Sequence, residues 1–168
     1  MYQDESIMLK DELLKEQACC PCGSGDQFAQ CCYPIWQVPS NAATPEQLMR
    51  SRYTAFCLKE VNHLVNTHHI SRRAADEREA LHAQFNEQPA TEWLGLEIIE
   101  ACAQYVTFIA KYRKGAGQPK GLYERSRFIK DEGTFFYLDG EIKQNPQPER
   151  NAPCWCNSGK KAKKCCFK

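Results

Sequence analysis

Residues 93–99 read WLGLEII, and the period of the chain changes there. Leu94, Leu96 and Ile98 alternate with Trp93, Gly95, Glu97 and Ile99, the two-residue repeat of a strand that turns one face to a core. The same repeat returns in Val106, Phe108 and Ala110, followed by a glycine-rich turn, KGAGQPKG, at 114–121. Two further runs, LYERSRFIK at 122–130 and TFFYLDG at 134–140, flank the short turn DEG. Connections this short favour antiparallel pairing, so a strand meander is predicted for this half of the chain.

Upstream of Pro89 the period is helical. In ATPEQLMRSRYTAFCLKEVNHLV, residues 43–65, Thr44 supplies an N-cap, Pro45 suits the first helical position and Gln47 completes a capping box. Leu48, Met49, Tyr53, Phe56, Cys57, Val61, Leu64 and Val65 then recur at helical spacing, which predicts a helix with one packed face. A second helix is expected over Ser71–Asn86, burying Ala74, Leu81 and Phe85. Helices first and a meander afterward give an α+β layout, with the helices on one face of an antiparallel sheet.

Outside this middle segment the chain repeats itself. CPCGSGDQFAQCC, from Cys20 to Cys32, returns as CWCNSGKKAKKCC, from Cys154 to Cys166, at a constant offset of 134. Each copy has the form C-x-C-x8-C-C, four soft donors within thirteen residues. Zinc takes four such ligands in a closed tetrahedron, so Cys20, Cys22, Cys31 and Cys32, and Cys154, Cys156, Cys165 and Cys166, are the expected ligands of two Zn²⁺ ions. Gly23-Ser24-Gly25 and Asn157-Ser158-Gly159 provide the sharp turn after each first pair, Asn being the non-glycine residue that best tolerates a left-handed backbone. Ser24 and Ser158 stand where they would cap a short helix carrying the second pair back. Adjacent cysteines form a disulfide only with strain, and the compact spacing suits one ion better than an iron–sulfur cluster. Four thiolates leave no open position for activated water, which argues against catalysis at the metal.

At these residues a resemblance can be named. C-P-C-G-S-G-x5-C-C resembles the SEC-C motif, known from the C-terminus of the SecA translocation motor, where a zinc-held peptide binds a chaperone partner. The second copy departs from it at Trp155 and Asn157, where the motif has Pro and Gly, and keeps all four ligands. Two such motifs around a segment containing LMRSRYTAF, TEWLGLEI, ERSRF and YLDG resemble the YchJ family of uncharacterised bacterial proteins. That resemblance implies a cone-shaped nuclear-transport-factor-2-like middle domain. The expected organisation is an extension at 1–18, a motif at 19–34, the α+β domain at 42–142 and a motif at 150–168. YPIWQVPSNAA (33–43) and EIKQNPQPERNAP (141–153), polar and proline-bearing, read as tethers.

The totals agree with a folded middle. The chain has 168 residues, 42% of them hydrophobic, and eighteen aromatics, enough for a core. A formal charge of +1 gives no general attraction for nucleic acid or membrane, and eight thiolates with two divalent ions would bring it to about −3. The opening MYQDESIMLKDELLKEQ has neither the basic start nor the apolar run of a secretory signal, and no run of membrane-spanning length follows. A cytoplasmic protein is expected, in which eleven cysteines call for metal rather than disulfides. Leu9, Leu13 and Leu14 suggest a short amphipathic helix packed on its own domain. Cys57 and Cys102, among apolar residues, are expected as small buried side chains.

Function is less legible. Arg50, Tyr53, Trp93, Glu124 and Arg127, with Arg125, are candidates for the mouth of a cone cavity. On one strand Arg125 and Arg127 share a face opposite Glu124 and Ser126, a pattern more typical of a solvated face or an ion pair. His63, His68, His69 and His82 have no nucleophile or carboxylate at telling spacing, and no catalytic residue is assigned. Lys160, Lys161, Lys163 and Lys164 surround the second motif and form a candidate docking surface for an acidic partner, the one region suited to nucleic acid. The leading expectation is a non-catalytic adaptor with zinc-held motifs docking on translocation, chaperone or ribosome-associated machinery. The alternative is a small-molecule-binding protein or enzyme that uses the cone cavity.

Overall fold

The computed structural model describes residues 3–15, 17–144 and 146–168, without the side chains of 3–7 and 9. The architecture is α+β, as expected. β1 (Thr91–Ala101), β2 (Tyr105–Lys114), β3 (Lys120–Asp131) and β4 (Thr134–Ile142) form an antiparallel sheet in that order. Glu132 and Gly133, with φ of 44° and 85°, make the two-residue turn between β3 and β4, left-handed at both positions as a tight hairpin requires. Five α-helices precede the sheet: α1 (Gln3–Lys15), α2 (Tyr33–Gln37), α3 (Pro45–Cys57), α4 (Val61–Asn66) and α5 (Glu77–Phe85).

Helix α3 is the axis of the domain. Thr44 Oγ1 accepts from Gln47 N at 3.2 Å, and Gln47 Oε1 accepts from Ala43 N at 2.7 Å, a capping box displaced by one residue. The single helix expected through Val65 is broken. Lys59 turns left-handed (φ 56°), and Glu60 N donates to Ala55 O at 2.8 Å, so α3 ends in a Schellman closure and α4 starts afresh. The break lets α4 fold back along α3 and bury Val61, Leu64 and Val65 with Ala55 and Leu81. Helix α5 is likewise shorter than Ser71–Asn86. Ala74 is exposed, and Leu81 and the half-buried Phe85 do the packing.

The alternation that opens β1 is interrupted. A bulge between Trp93 and Gly95 inserts Leu94, so Trp93 faces the same way as Leu96 and Ile98, onto the core with Phe108 and Ala110. A second irregularity between Ile98 and Glu100 leaves Ile99 outside, 47% exposed. Cys102 is exposed rather than buried. Cys57 is partly covered, and burial pushes its thiol up to about 12.

The segment 33–43 is not a tether. Ile35 and Ala42 are buried in the main core, and Trp36 Nε1 donates to Ser51 O of α3 at 3.0 Å. Leu13 and Leu14 of α1 pack on the same core, and Lys10 pairs with Glu60 at 2.8 Å; the side chain of Leu9 lies outside the described residues. The core thus includes the first cysteine motif itself: Cys20, Cys22, Phe28 and Cys32 are buried beside Leu48, Met49, Tyr53 and Val106. The second motif lies on the opposite face of the sheet. There Trp155 covers Gly121 of β3, and Lys111 lies 5.7 Å from the Trp155 ring centroid.

Two expectations follow from this packing. Buried His63 of α4 shares a 2.9 Å hydrogen bond with Ser51 Oγ, and burial, reinforced by the Arg52 cation, pushes it down to about 3. Below the ordinary histidine value near 6.5 the unfolded chain takes up a proton that the folded chain refuses, so stability is complete above that pH and is lost as pH falls toward 3. Urea titrations between pH 7 and pH 5 are expected to show a loss approaching about 1.4 kcal/mol per pH unit once below 6.5, and His63→Gln is expected to flatten that slope. At Gly121 a β-carbon would lie 2.8 Å from Pro146 Cγ and 2.9 Å from the Trp155 ring. Gly121→Val is expected to weaken docking of residues 146–168 by about 1–3 kcal/mol, read as faster tryptic cleavage at the C-terminal lysines with the sheet still folded.

Candidate metal centres and cavity

In each motif the four sulfurs lie within 4.8 Å of one another. Cys22 and Cys31 are 3.6 Å apart and Cys31 and Cys32 3.8 Å; Cys156 and Cys165 are 3.5 Å apart and Cys165 and Cys166 3.8 Å. A disulfide would need about 2.05 Å, and all eleven cysteines are free. A tetrahedron with metal–sulfur bonds of about 2.3 Å has edges of about 3.8 Å. The donor set of Cys20, Cys22, Cys31 and Cys32, and that of Cys154, Cys156, Cys165 and Cys166, could therefore each hold one tetrahedral ion.

The two clusters share most of their hydrogen bonds at the 134-residue offset. Cys20 N donates to Asp26 O at 2.7 Å, and Cys154 N to Lys160 O at 2.8 Å. Gly23 N donates to Cys20 O at 3.1 Å, as Asn157 N does to Cys154 O. Gly23 and Asn157 have φ of 72° and 60°, so Asn does keep the left-handed turn. The serines act differently from expectation. Ser24 Oγ accepts from Asp26 N at 3.2 Å and lies 3.2 Å from Cys31 Sγ; Ser158 Oγ accepts from Lys160 N at 3.4 Å and lies 3.3 Å from Cys165 Sγ. They close a turn rather than cap a helix, and their hydroxyls stand beside the third sulfur. Such contacts orient ligands and stabilise their ionised form. Their recurrence at the matched position is the signal that could have disclosed this role.

Thiol electrostatics explain why a cation belongs here. Cys22 is pushed down, first by its hydrogen bond with Cys20 and then by that with Cys32. Cys20 is pushed up to about 12, first by the hydrogen bond with Cys22, and Cys32 is pushed up by Cys20, Cys22 and burial. The second cluster repeats the split: Cys156 is lowered to about 6, chiefly by Ser158, and Cys166 is raised to about 12, chiefly by Cys156. One thiolate per cluster is favoured at the expense of its neighbours, and a divalent cation removes that conflict.

The surroundings differ. On the first cluster α3 lays Thr54, whose Oγ1 is 3.4 Å from Cys32 Sγ and 3.7 Å from Cys20 Sγ, and Arg50, which donates to Cys22 O at 3.1 Å and pairs with Glu46. Arg50 thus belongs to the metal site rather than to the cavity. The second cluster is half-exposed apart from Cys154, and Asn157 Nδ2 donates to Leu94 O at 3.1 Å, on the β1 bulge. Lys160, Lys161 and Lys164 around it are exposed and Lys163 half-exposed.

Between α3–α5 and the sheet lies a cavity of about 280 Å³. Tyr53, Trp93 and Glu124 line it; Arg127 does not. Arg127 points outward and pairs with Asp139, and Arg125 stacks 4.4 Å from the Tyr105 ring centroid, so the arginine face is the solvated one. Sequence reasoning missed Arg52, His68, Glu77, Ser126 and Tyr137 on the wall. Arg52 is buried, donating at 2.7 Å to both Leu64 O and Thr67 Oγ1 and lying 4.6 Å from the Tyr137 ring centroid; burial lowers it to about 10. His68 Nδ1 meets Glu77 Oε1 at 2.7 Å, while His69 and His82 are absent from the wall.

Comparison with known proteins agrees with this architecture. The family model for the YchJ middle NTF2-like domain matches residues 44–140, and the SEC-C motif matches 20–34 and 150–168. The solution structure of a SEC-C motif containing protein from Rhodopseudomonas palustris is 34% identical, covers 74% of this chain and 98% of its own, and superposes with a TM-score of 0.65. The crystal structure of a SEC-C motif containing protein from Psychrobacter arcticus is 27% identical over 88% of this chain and 94% of its own, with a TM-score of 0.56. With the middle-domain model covering more than half its length and a SEC-C motif at either end, this chain belongs to the YchJ family.

Proposed function

We propose that the protein is a zinc-binding interaction adaptor. The observation that carries this reading is the pair of closed four-cysteine clusters, matched in most of their hydrogen bonds, in which every ligand position is taken by sulfur. Closed thiolate sites supply folding energy and present rigid peptide surfaces rather than activated water. Zinc is the ion that a tetrahedral all-sulfur site of this size suits. The second motif is the docking element. Its half-exposed cysteines and the lysines at 160, 161, 163 and 164 face solvent, whereas Lys111, Arg113 and Lys114 of β2 are already neutralised by Glu97, Glu92 and Glu87. An acidic protein surface of the translocation, chaperone or ribosome-associated machinery fits that charge; ribosomal RNA could engage the same lysines. Among the described residues no helix is long and apolar enough to cross a membrane.

A second reading, ligand binding in the cone, draws on one specific observation. The cavity is open space of about 280 Å³ whose wall carries polar groups among its aromatic rings, not a core plugged by those rings.

Elemental analysis of protein purified without added metal is expected to give about two zinc ions per chain. Under excess chelator, release is expected in two phases. The half-exposed second cluster should empty first with the sheet intact. The first, with Cys20, Cys22 and Cys32 no more than 4% exposed, should empty only as the middle domain unfolds. A single phase, or one ion per chain, would overturn this account. Lys160→Glu with Lys161→Glu is expected to abolish salt-sensitive capture of an acidic partner while leaving both ions bound.

A further inference from the structure

The cone cavity holds chemistry that neither cysteine cluster uses. Part of its wall is apolar, with Phe56, Leu81, Trp93 and Phe108. Trp93 packs against Tyr53 and Phe56 with ring centroids 5.6 and 5.9 Å apart, a continuous aromatic wall. The wall also carries Glu124, beside Phe108 across the β2–β3 pair, with Ser126, Tyr137, Arg52, His68 and Glu77.

Among these polar groups Glu124 keeps one carboxylate oxygen free of protein donors. Ser126 Oγ donates to Glu124 Oε1 at 2.6 Å and the Tyr137 hydroxyl reaches the same oxygen at 3.4 Å, but no described residue donates to Glu124 Oε2. Glu77 gives Oε1 to His68, and its Oε2 is buried without a partner. Arg52, a cation on the wall, is attracted by the charges of Glu77 and Glu124 but makes no contact ion pair among the described residues. Its NH1 is committed to Leu64 O and Thr67 Oγ1, and its face lies on Tyr137. Glu124 is also held on purpose: a β-carbon at Gly140 would collide with its carboxylate, so the glycine leaves the space that the carboxylate occupies. The free oxygen of Glu124 meets no protein donor, and an incoming group that brings N–H donors and positive charge supplies both. An anion would meet the Glu124 carboxylate, and a purely apolar molecule would leave it unmatched.

We propose that the cavity binds a small primary amine carrying an aromatic or alkyl body, with its ammonium on Glu124 and the body against Trp93 and Phe56. This inference rests on the second reading above, that the cone takes a ligand. A volume of about 280 Å³ sits at the lower end of small-molecule sites and suits a compound of single-ring size. The aromatic wall serves twice, by covering the body and by offering ring faces to the cation.

Calorimetry on the zinc-loaded full chain, with 2-phenylethylamine, 2-phenylethanol and 3-phenylpropionate, separates the possibilities, because the three share a body and differ in the head. The amine is expected to bind at least about tenfold tighter than the alcohol, with the carboxylate weakest. Glu124→Gln is expected to erase the amine's advantage and leave the alcohol within about twofold, and Gly140→Ala, which displaces the carboxylate without removing it, should do the same. Equal or better binding of the alcohol or the carboxylate would overturn the amine assignment and leave the ligand reading standing. An amine preference that survives in Glu124→Gln would overturn the role of that residue. Binding of none of the three would sink the inference and the ligand reading together. Should either variant fail to fold, the order of affinities in the unaltered protein decides alone.

Discussion

Four thiols packed within 4.8 Å of one another, three of them buried in the main core, are the constraint on which the rest of the fold depends. Left to themselves they cannot ionise together, and as neutral thiols they make poor hydrogen bonds. A divalent cation would turn this cluster from a liability into a cross-link between the turn at Cys20–Gly25 and the start of α2. Both segments are short, and α2 is only five residues long, so neither can hold its shape without tertiary support. Phe28 and Trp36, meeting edge to face at 5.2 Å, provide part of it, and an ion on the four sulfurs would add the rest. The N-terminal motif is therefore part of the middle domain's interior and not an appendage to it.

The same thirteen-residue device is used at the other end in a different setting. Where the first copy buries Phe28, the second has Ala162 at the equivalent position, also fully buried. Where the first has Pro21, the second has Trp155, which the sheet accepts only because β3 offers Gly121 beneath it. The copies meet β1 from two sides: Gly23 approaches Leu96 O and Asn157 donates to Leu94 O, on either side of Gly95. Gly95, at φ 146°, completes the bulge that turns Trp93 toward the cavity. A repeated local fold has thus been fitted to one strand twice, once against the core face and once against the outer face, with Pro21 and Phe28 exchanged for Trp155 and Ala162 where the copies pack and lysines added where the second faces solvent.

How much of this could be read from the residues depended on whether local chemistry or distant packing set the outcome. The eight ligands were legible because only cysteine at that spacing can form such a cluster, and Asn157 announced its left-handed turn by being Asn. The strand order followed from turn lengths. The end of α3 was hidden, because Leu58-Lys59-Glu60 contains no Gly or Pro; the left-handed Lys59 is imposed by α4 folding back. The prolines of 33–43 suggested a tether, but Ile35 and Trp36 are anchored by surfaces far away in sequence. On β3 the alternation correctly separated Glu124 and Ser126 from Arg125 and Arg127, yet both pairs are polar, and nothing local said that the Glu124 side was the inside. His63 showed no partner at telling spacing for the same reason: its neighbour in α3 is Ser51, a contact that no spacing reveals.

Helix α3 brings these strands of the argument to one place. Arg50 and Thr54, four residues apart, face the first cysteine cluster. Met49, Arg52, Tyr53 and Phe56, spaced three and four apart, face the cavity. Ser51 and Ala55 face α4, where Ser51 meets His63. A helix buried on three sides cannot show a single apolar stripe, which is why its polar residues looked like surface or site residues without a face to assign them to. It also means that α3 is the shared wall of both sites: Thr54 lies against the sulfurs, and its neighbour Tyr53 and then Arg52 line the cavity. Two features that have no residue contact in common are thus positioned by one helix, whose consecutive residues answer to each in turn.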